Sequence, residues 1–219
     1  MTPSQPEQLF WATRWTLRDV VALVVTAIVL GLVFYLWGWA MQLLSRVLGD
    51  VVAGLFYGVW FWAGLLLAYT IRKPGAALLG QFGAALVAYA LGSPLGVLIL
   101  VLGWVQGLAL EMVFAWARFQ HWGLVTMLVA GAVAGTASFA VNLAVDRGVS
   151  LAVDVAVARG VNLVAPPWLI FPQPAGIIIA ILCIAVISGA VLGGLVCKVL
   201  GDRLLAIVPV RQFLGTQIP

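Results

Sequence analysis

The sequence predicts an all-α integral membrane protein, a bundle of six transmembrane helices with both termini in the cytoplasm, and three observations lead to this fold class. Hydrophobic residues make up 64% of the 219 residues, and charged residues make up only 8%. Soluble domains carry about 25% charged residues, so this chain has too little charge to solvate a globular surface. The mean hydropathy is +1.17, and apolar runs long enough to cross a bilayer, about 20 residues each, recur along the chain.

Six such runs predict the six helices of a single membrane domain that covers residues 1–219. In chain order, the runs cover about residues 19–44, 51–71, 75–91, 95–117, 123–145 and 175–199. Each run ends where charged residues, glycine or proline interrupt it, as expected where a helix stops or leaves the bilayer. The interruptions after the first five runs are Ser45-Arg46, Arg72-Lys73-Pro74, Gly92-Ser93-Pro94, Arg118 and Asp146-Arg147.

The segment between the fifth and sixth runs, residues 146–174, is long for a connection without structure of its own. Residues 150–158 are mainly apolar with Asp154 among them, and the end of the segment is rich in proline. We predict an outer loop or lid, which includes a short interfacial helix as one form. A family-specific insertion without a role is the alternative.

The basic residues indicate the orientation, because cytoplasmic loops carry an excess of Lys and Arg. If the first helix starts inside, eight basic residues lie in the cytoplasm and three lie outside. The three outside are Arg46, Arg147 and Arg159. This asymmetry predicts that both termini are cytoplasmic.

Small residues at four-residue spacing predict close approach between helices. The third run carries such a stripe, and glycine pairs occur in the fifth and sixth runs. The residues are Ala76, Gly80, Ala84 and Ala88 in the third run, Gly131 and Gly135 in the fifth, and Gly189 and Gly193 in the sixth. These positions either pack helices within one chain or face another subunit, and the pattern leaves both open.

Several kinds of chemistry are excluded by missing motifs. The chain has no G-x-x-x-x-G-K-[ST] sequence for nucleotide phosphates, no H-E-x-x-H and no G-x-S-x-G. Its only histidine, His121, falls in a short predicted turn. We therefore expect no enzymatic activity, no cofactor, no metal site and no nucleic-acid partner.

A few polar and aromatic side chains inside or near the ends of the runs are the candidates for a substrate-binding pocket. Polar groups at membrane depth are costly and are usually functional or paired, and aromatic faces suit a flat heterocycle. The candidates are Tyr57, Trp60, Gln81, Tyr89, Gln106, Glu111 and Asn142. The structural alternatives are interfacial aromatic belts and hydrogen bonds of Gln106 and Glu111 to neighbouring helices.

Four stretches of the sequence resemble the YkoE group, the substrate-binding (S) subunits of energy-coupling factor (ECF) vitamin transporters. They are RDVV at residues 18–21, YGVWF at 57–61, IRKPGAAL at 71–78, and VQGL at 105–108 leading to Glu111. The resemblance covers the first five helices well. It is looser over the segment before the sixth helix and over the C-terminal tail.

The resemblance implies a plasma-membrane subunit that captures thiamine or its hydroxymethylpyrimidine precursor from outside. It also implies three partners: a membrane-embedded coupling (T) subunit and two cytoplasmic ATPase subunits. The chain departs from the group at Gln81 and Ala88, where the group carries carboxylates. Because thiamine is a cation, this departure favours a less cationic, pyrimidine-type ligand, or a site where Glu111 alone supplies the negative charge.

Two other functions remain open on the residues alone. A standalone secondary carrier for a small heterocyclic solute is one, although no internal repeat or relay of ionisable residues is evident. The other is a structural membrane protein, in which Gln106 and Glu111 serve only helix packing.

Overall fold

The computed structural model describes residues 15–49, 54–159 and 175–207, and every regular element in these ranges is helical. The elements in chain order are α1 (Leu17–Leu48), a short 3₁₀ helix (Tyr57–Phe61), α2 (Trp62–Ile71), α3 (Ala76–Ala90), α4 (Leu98–Trp116), α5 (Leu124–Ala158), α6 (Ala175–Ser188), a π-helical segment (Gly189–Leu195) and α7 (Val196–Ala206).

Four helical stretches are long and apolar enough to cross a membrane. They are Leu17–Leu48, Leu98–Trp116, Leu124–Gly148 and Gly176–Ala206. Two further apolar stretches, Tyr57–Ile71 and Ala76–Ala90, are shorter. The predicted all-α architecture is confirmed, and the four long stretches coincide with the first, fourth, fifth and sixth predicted helices.

The structure corrects three predicted boundaries. Helix α5 continues to Ala158, so the predicted outer loop or lid at 146–174 begins as an extension of that helix. Charged residues mark the edge of a bilayer without ending a helix, since their helix propensity is adequate. Residues 160–174, where the rest of that segment falls, lie outside the described residues.

The other two corrections concern the second and sixth predicted helices. The second, residues 51–71, is not one continuous α-helix: Gly54 is α-helical, a turn and the 3₁₀ helix follow, and the α-helix resumes at Trp62. Residues 50–53 lie outside the described residues. The sixth, residues 175–199, is interrupted by π-helical turns from Gly189 to Leu195 and then continues to Ala206.

Helix α1 begins with a capping box. The Asp19 backbone N–H donates to Thr16 Oγ1 at 3.3 Å, and the Thr16 backbone N–H donates to Asp19 Oδ2 at 2.7 Å. This arrangement satisfies two donors that a helix start would otherwise leave without partners. It fixes the position at which α1 begins and places the Asp19 carboxylate beside the start of α3.

Helix α3 is the centre of the bundle and contacts α1, α2 and α4. Its stripe of small residues is fully buried. A Cβ added at Gly80 would lie 2.4 Å from Leu67 Cδ1, and one added at Gly31 of α1 would lie 2.8 Å from the Ala84 oxygen. The close approach predicted for the third helix therefore occurs within the chain.

Helix α5 and the π-helical segment approach each other even more closely. A Cβ at Gly131 would lie 2.0 Å from the Gly189 oxygen, and one at Gly194 would lie 2.4 Å from the Met127 oxygen. Only hydrogen fits in such a contact, so glycine is required on both elements. The glycine pairs of the fifth and sixth predicted helices thus also pack within the chain.

Candidate functional site

A small cavity lies beside the centre of α3, between α3, α4, α1 and the 3₁₀ helix. Its free volume is about 10 Å³, room for about one water molecule. Nine residues line it: Phe34, Trp60, Gln81, Ala85, Leu95, Ile99, Leu102, Gly103 and Gln106. Of these, Gln81 and Gln106 bring amide groups to an otherwise apolar and aromatic lining.

The Gln81 amide is 1% exposed and is held by three hydrogen bonds. Its Oε1 accepts from the Gly64 backbone N–H at 2.9 Å. Its Nε2 donates to the Trp60 carbonyl oxygen at 2.5 Å and to Gln106 Oε1 at 2.7 Å. Gln81 therefore ties α3 to α2, to the 3₁₀ helix and to α4 through a single side chain.

The hydrogen-bond chain continues from Gln106 into α5. Gln106 is 3% exposed, and its Nε2 donates to Ser138 Oγ at 2.9 Å. The Ser138 hydroxyl donates in turn to the Ala134 carbonyl oxygen at 2.8 Å. We call Gln81, Gln106 and Ser138 the amide relay, and it crosses the interior from α3 to α5.

The aromatic side of the cavity is formed by Trp60 and Phe34. Their ring centroids lie 5.4 Å apart with the planes tilted by 58°. Trp60 belongs to the 3₁₀ helix, and the backbone of that helix is held against the last residue of α6 by Gly58 N–H, which donates to Ser188 Oγ at 2.9 Å. Ser188 Oγ donates to the Leu55 carbonyl oxygen at 2.7 Å.

Tyr57 and Asn142 do not line the cavity, but they bond directly to each other. Asn142 Nδ2 donates to the Tyr57 hydroxyl oxygen at 2.5 Å. This contact joins the start of the 3₁₀ helix to α5, one turn from Trp60. A movement of the 3₁₀ helix would therefore move Tyr57 and Trp60 together and change the contact with Asn142.

Tyr89 lies away from the cavity. Its side chain is 46% exposed near the end of α3, whereas Gln81 and Ala85 on the same predicted face are buried. The four-residue spacing correctly relates Gln81 to Ala85. Tyr89 is on the exposed side of the end of α3, whereas Ala88 beside it is buried.

Glu111 belongs to α4, and its carboxylate lies at the start of α3, where it caps that helix. Its Oε1 accepts from the Gly75 backbone N–H at 2.5 Å, and its Oε2 accepts from Ala77 N–H at 3.1 Å and Leu78 N–H at 3.3 Å. Carboxylates are favoured at helix N-termini because they satisfy unpaired N–H groups and complement the helix dipole. The Glu111 carboxylate therefore lies at the start of α3, and Glu111 is not among the residues that line the cavity beside Gln106.

A salt bridge between Lys73 and Asp19 lies near the Glu111 cap at the start of α3. Lys73 Nζ contacts Asp19 Oδ2 at 2.5 Å, and the Asp19 side chain is 3% exposed. The Trp15 indole N–H donates to the Pro74 carbonyl oxygen at 3.2 Å. We call Asp19, Lys73 and Glu111 the charged junction, since they connect α1, the turn between α2 and α3, and α4.

Two contributors to the site were missed at the sequence level. Ser138 completes the amide relay, and Phe34 packs against Trp60. A hydroxyl within an apolar helix is a weak signal because Ser commonly bonds to its own helix backbone, as Ser138 also does here. Phe34 is one of many aromatic residues in α1, and nothing in the sequence distinguishes it.

Among residues 15–49, 54–159 and 175–207, no group of three or more His, Cys, Asp or Glu side chains comes together. Cys197 is buried and Cys183 is exposed, and both are free thiols.

Comparisons with known proteins agree on a transporter component. A family model described as "ABC-type cobalt transport system, permease component" matches residues 18–137. A Bacillus subtilis (strain 168) protein that carries the name of an HMP/thiamine permease, YkoE, is 34% identical over 190 residues, which are 87% of this chain and 84% of that protein.

A solved structure gives the same result for the fold. The crystal structure of an S-component of an ECF transporter superposes with a TM-score of 0.74 at 32% sequence identity. The alignment covers 91% of this chain and 90% of the other. The likeness therefore extends over the whole helical bundle.

Proposed function

We propose a function for this chain from one premise: it belongs to the YkoE-type S components of ECF transporters. The predicted family resemblance is thereby confirmed. As a member, the chain is a multi-pass plasma-membrane protein, and its relatives are transporter components rather than enzymes. Its role is that of a substrate-binding subunit.

The proposed substrate is thiamine or its hydroxymethylpyrimidine (HMP) precursor, bound at the amide relay. The observation that supports this proposal most strongly is the lining of the buried cavity. It combines the aromatic rings of Trp60 and Phe34 with the side-chain amides of Gln81 and Gln106. Rings of this kind stack on a flat heterocycle, and amides pair with the nitrogen atoms at its edge. Such a lining suits an aminopyrimidine better than a metal cation, which prefers carboxylate, imidazole or thiolate ligands.

The amides retain hydrogen-bonding capacity for a ligand. A primary amide has two N–H donors and an oxygen with two lone pairs. Within the described residues, Gln106 uses one N–H and one lone pair, and Gln81 uses both N–H groups and one lone pair. One N–H of Gln106 and one lone pair on each oxygen therefore remain for an aminopyrimidine edge.

Binding a pyrimidine requires the cavity to widen. At about 10 Å³ it holds about one water molecule, so the lining must move outward on binding. We propose that the 3₁₀ helix moves, with Tyr57 and Asn142 separating and then contacting the ligand. Tyr89 and Glu111 take no part in this binding site.

The proposed topology has six membrane crossings with both termini in the cytoplasm, in a single domain of residues 1–219. The two shorter apolar stretches, Tyr57–Ile71 and Ala76–Ala90, are joined by a tight turn. Helix α3 packs between α1 and α4, which are both long enough to span a bilayer. This packing supports a crossing by each of the two shorter stretches.

The proposed partners are a membrane-embedded coupling (T) subunit and two cytoplasmic ATPase subunits. The sequence contains no nucleotide-binding loop of the G-x-x-x-x-G-K-[ST] type, so ATP hydrolysis must come from other chains. Family membership supports this assembly. A standalone carrier would instead move substrate without them.

Calorimetric titration of the purified protein in detergent, with HMP and thiamine in separate runs and no ATPase present, tests the proposal. We expect one-to-one binding of at least one ligand and much weaker binding in Gln106→Leu. The matched control is Gln120→Leu, which changes an exposed glutamine in the turn after α4. If the unmodified protein binds neither ligand, the proposed substrate class is wrong.

A further inference from the structure

The amide relay has a fixed hydrogen-bond direction, because both of its ends are backbone groups that cannot reverse. At one end the Gly64 N–H can only donate, and it faces Gln81 Oε1. At the other end the Ala134 carbonyl can only accept, and it receives the Ser138 hydroxyl proton. Each amide between these ends therefore has one permitted orientation.

Gln81 must be an uncharged amide for this geometry to hold. Its two N–H groups face two acceptors, the Trp60 carbonyl oxygen at 2.5 Å and Gln106 Oε1 at 2.7 Å. A carboxylate at this position would replace Nε2 by an oxygen that faces both acceptors without a proton to share in a buried site, which is strongly unfavourable. The centre of the site is therefore neutral because of its own hydrogen bonds.

Ser138 is the positioning residue at the other end. Because its proton is donated to Ala134, its oxygen can only accept, so Gln106 must turn Nε2 toward α5 and Oε1 toward Gln81. The contacts with Gln81 and with Ser138 therefore favour the same orientation of the Gln106 amide. The ligand thus meets a Gln106 N–H donor held by neighbours on two helices.

The two carboxylates of the charged junction have other fixed partners. Glu111 accepts three backbone N–H groups at the start of α3, and Asp19 is paired with Lys73. None of the nine residues that line the cavity is charged. A cation that enters this lining loses its hydration without gaining a negative partner, and a buried charge needs one.

We infer that this site selects a neutral aminopyrimidine over a thiazolium-bearing cation, so that HMP binds more tightly than thiamine. The inference rests on the proposed function and specifies its substrate. Gln81 and Gln106 determine this selectivity, and Ser138 positions Gln106.

The test compares the ratio of the two dissociation constants, thiamine over HMP, in the unmodified protein, in Gln106→Glu and in Gln120→Glu. Gln120→Glu is the matched control, because it adds the same charge at an exposed position outside the site. Each ratio is measured by calorimetry at pH 6 and at pH 8. Thermal unfolding of each variant in the same detergent shows which are folded.

We expect the unmodified protein to favour HMP by roughly tenfold or more, and Gln106→Glu to move the ratio toward thiamine by a similar factor. The change in this ratio should be larger at pH 8 than at pH 6, because the introduced carboxyl group ionises as the pH rises. Gln120→Glu should change neither the ratio nor its dependence on pH. A preference caused by ligand size alone would leave the ratio in Gln106→Glu unchanged.

Thiamine binding as tight as HMP binding in the unmodified protein overturns the inference and leaves the proposed function standing. An unchanged ratio in a folded Gln106→Glu at both pH values overturns it as well. If Gln106→Glu does not fold, the ratio in the unmodified protein decides. Binding of neither ligand overturns both the inference and the proposed substrate class.

Discussion

Two of the polar clusters in the described part of the protein differ in what their side chains contact. The amide relay of Gln81, Gln106 and Ser138 is neutral and borders a cavity. The charged junction of Asp19, Lys73 and Glu111 is ionic and contacts a helix start and a turn. Both contain residues at membrane depth or near it, where polar groups are costly.

The difference shows that depth alone does not identify a binding residue. Glu111 and Gln106 are five positions apart on α4, yet their contacts give them different roles, one in the stability of the fold and one in ligand binding. The carboxylate of Glu111 satisfies backbone donors at the start of α3, so it stabilises the fold. Gln106 keeps an N–H beside a cavity, so it can serve a ligand.

The largest expected effect is on the stability of the junction. Glu111→Ala removes the acceptor for three backbone N–H groups and leaves the start of α3 uncapped. We expect the free energy of unfolding to fall by about 3 kcal/mol, since each charge-assisted bond contributes about 1.5–3 kcal/mol and the losses overlap. Thermal unfolding in detergent measures this change, and Glu111→Gln should lose less because it keeps an acceptor oxygen.

HMP affinity should be nearly unchanged in the Glu111→Ala protein that remains folded. A large loss of HMP affinity in a variant that is fully folded would contradict the assignment of binding to the amide relay and of stability to the charged junction. It would return Glu111 to the binding site that its position in the sequence suggested.

The next largest effect is on ligand binding at the relay. Gln106→Leu removes the donor that faces the cavity and leaves Gln81 and Ser138 with one lost partner each. We expect HMP affinity to fall about thirtyfold, ~2 kcal/mol, because a site built around hydrogen bonds loses them without replacement. Calorimetry measures the change, with Gln120→Leu as the control that should retain full affinity.

The smallest effect is expected at the bond between the 3₁₀ helix and α5. Asn142→Ala removes the donor to the Tyr57 hydroxyl, a net contribution of about 1 kcal/mol for one hydrogen bond. A double-mutant cycle with Tyr57→Phe, read by HMP affinity, should give coupling of that order. Additive effects would show that the two side chains act independently and that their contact does not control access to Trp60.

The two clusters also differ in how much of their structure could be predicted from the sequence. Apolar runs gave the helices, because length and hydropathy alone determine which segments cross a bilayer. Gln81, Gln106 and Trp60 were found because amides and a Trp inside apolar runs are conspicuous. Their placement at one cavity was still a hypothesis, since sequence spacing does not show which helices are neighbours.

The rest depended on backbone geometry that no side-chain pattern reports. The partners of Glu111 are N–H groups of α3, and every sequence has such groups at every helix start. The 3₁₀ and π-helical turns lie where the backbones pack closely at Gly58, Gly131 and Gly189. Tyr89 shares a predicted helix face with Gln81 but is exposed in the structure, because helical spacing defines a face and not which parts of that face other helices cover.

The most direct test of the separation is the rise in melting temperature that saturating HMP causes in three proteins: unmodified, Glu111→Ala and Gln106→Leu. A ligand that binds only the folded state stabilises it by about 2.7 kcal/mol at a concentration one hundred times its dissociation constant. We predict similar rises in the unmodified protein and in Glu111→Ala, which starts from a lower melting temperature, and little rise in Gln106→Leu. A full rise in Gln106→Leu, or none in Glu111→Ala, would contradict the assignment of binding to the relay and stability to the junction.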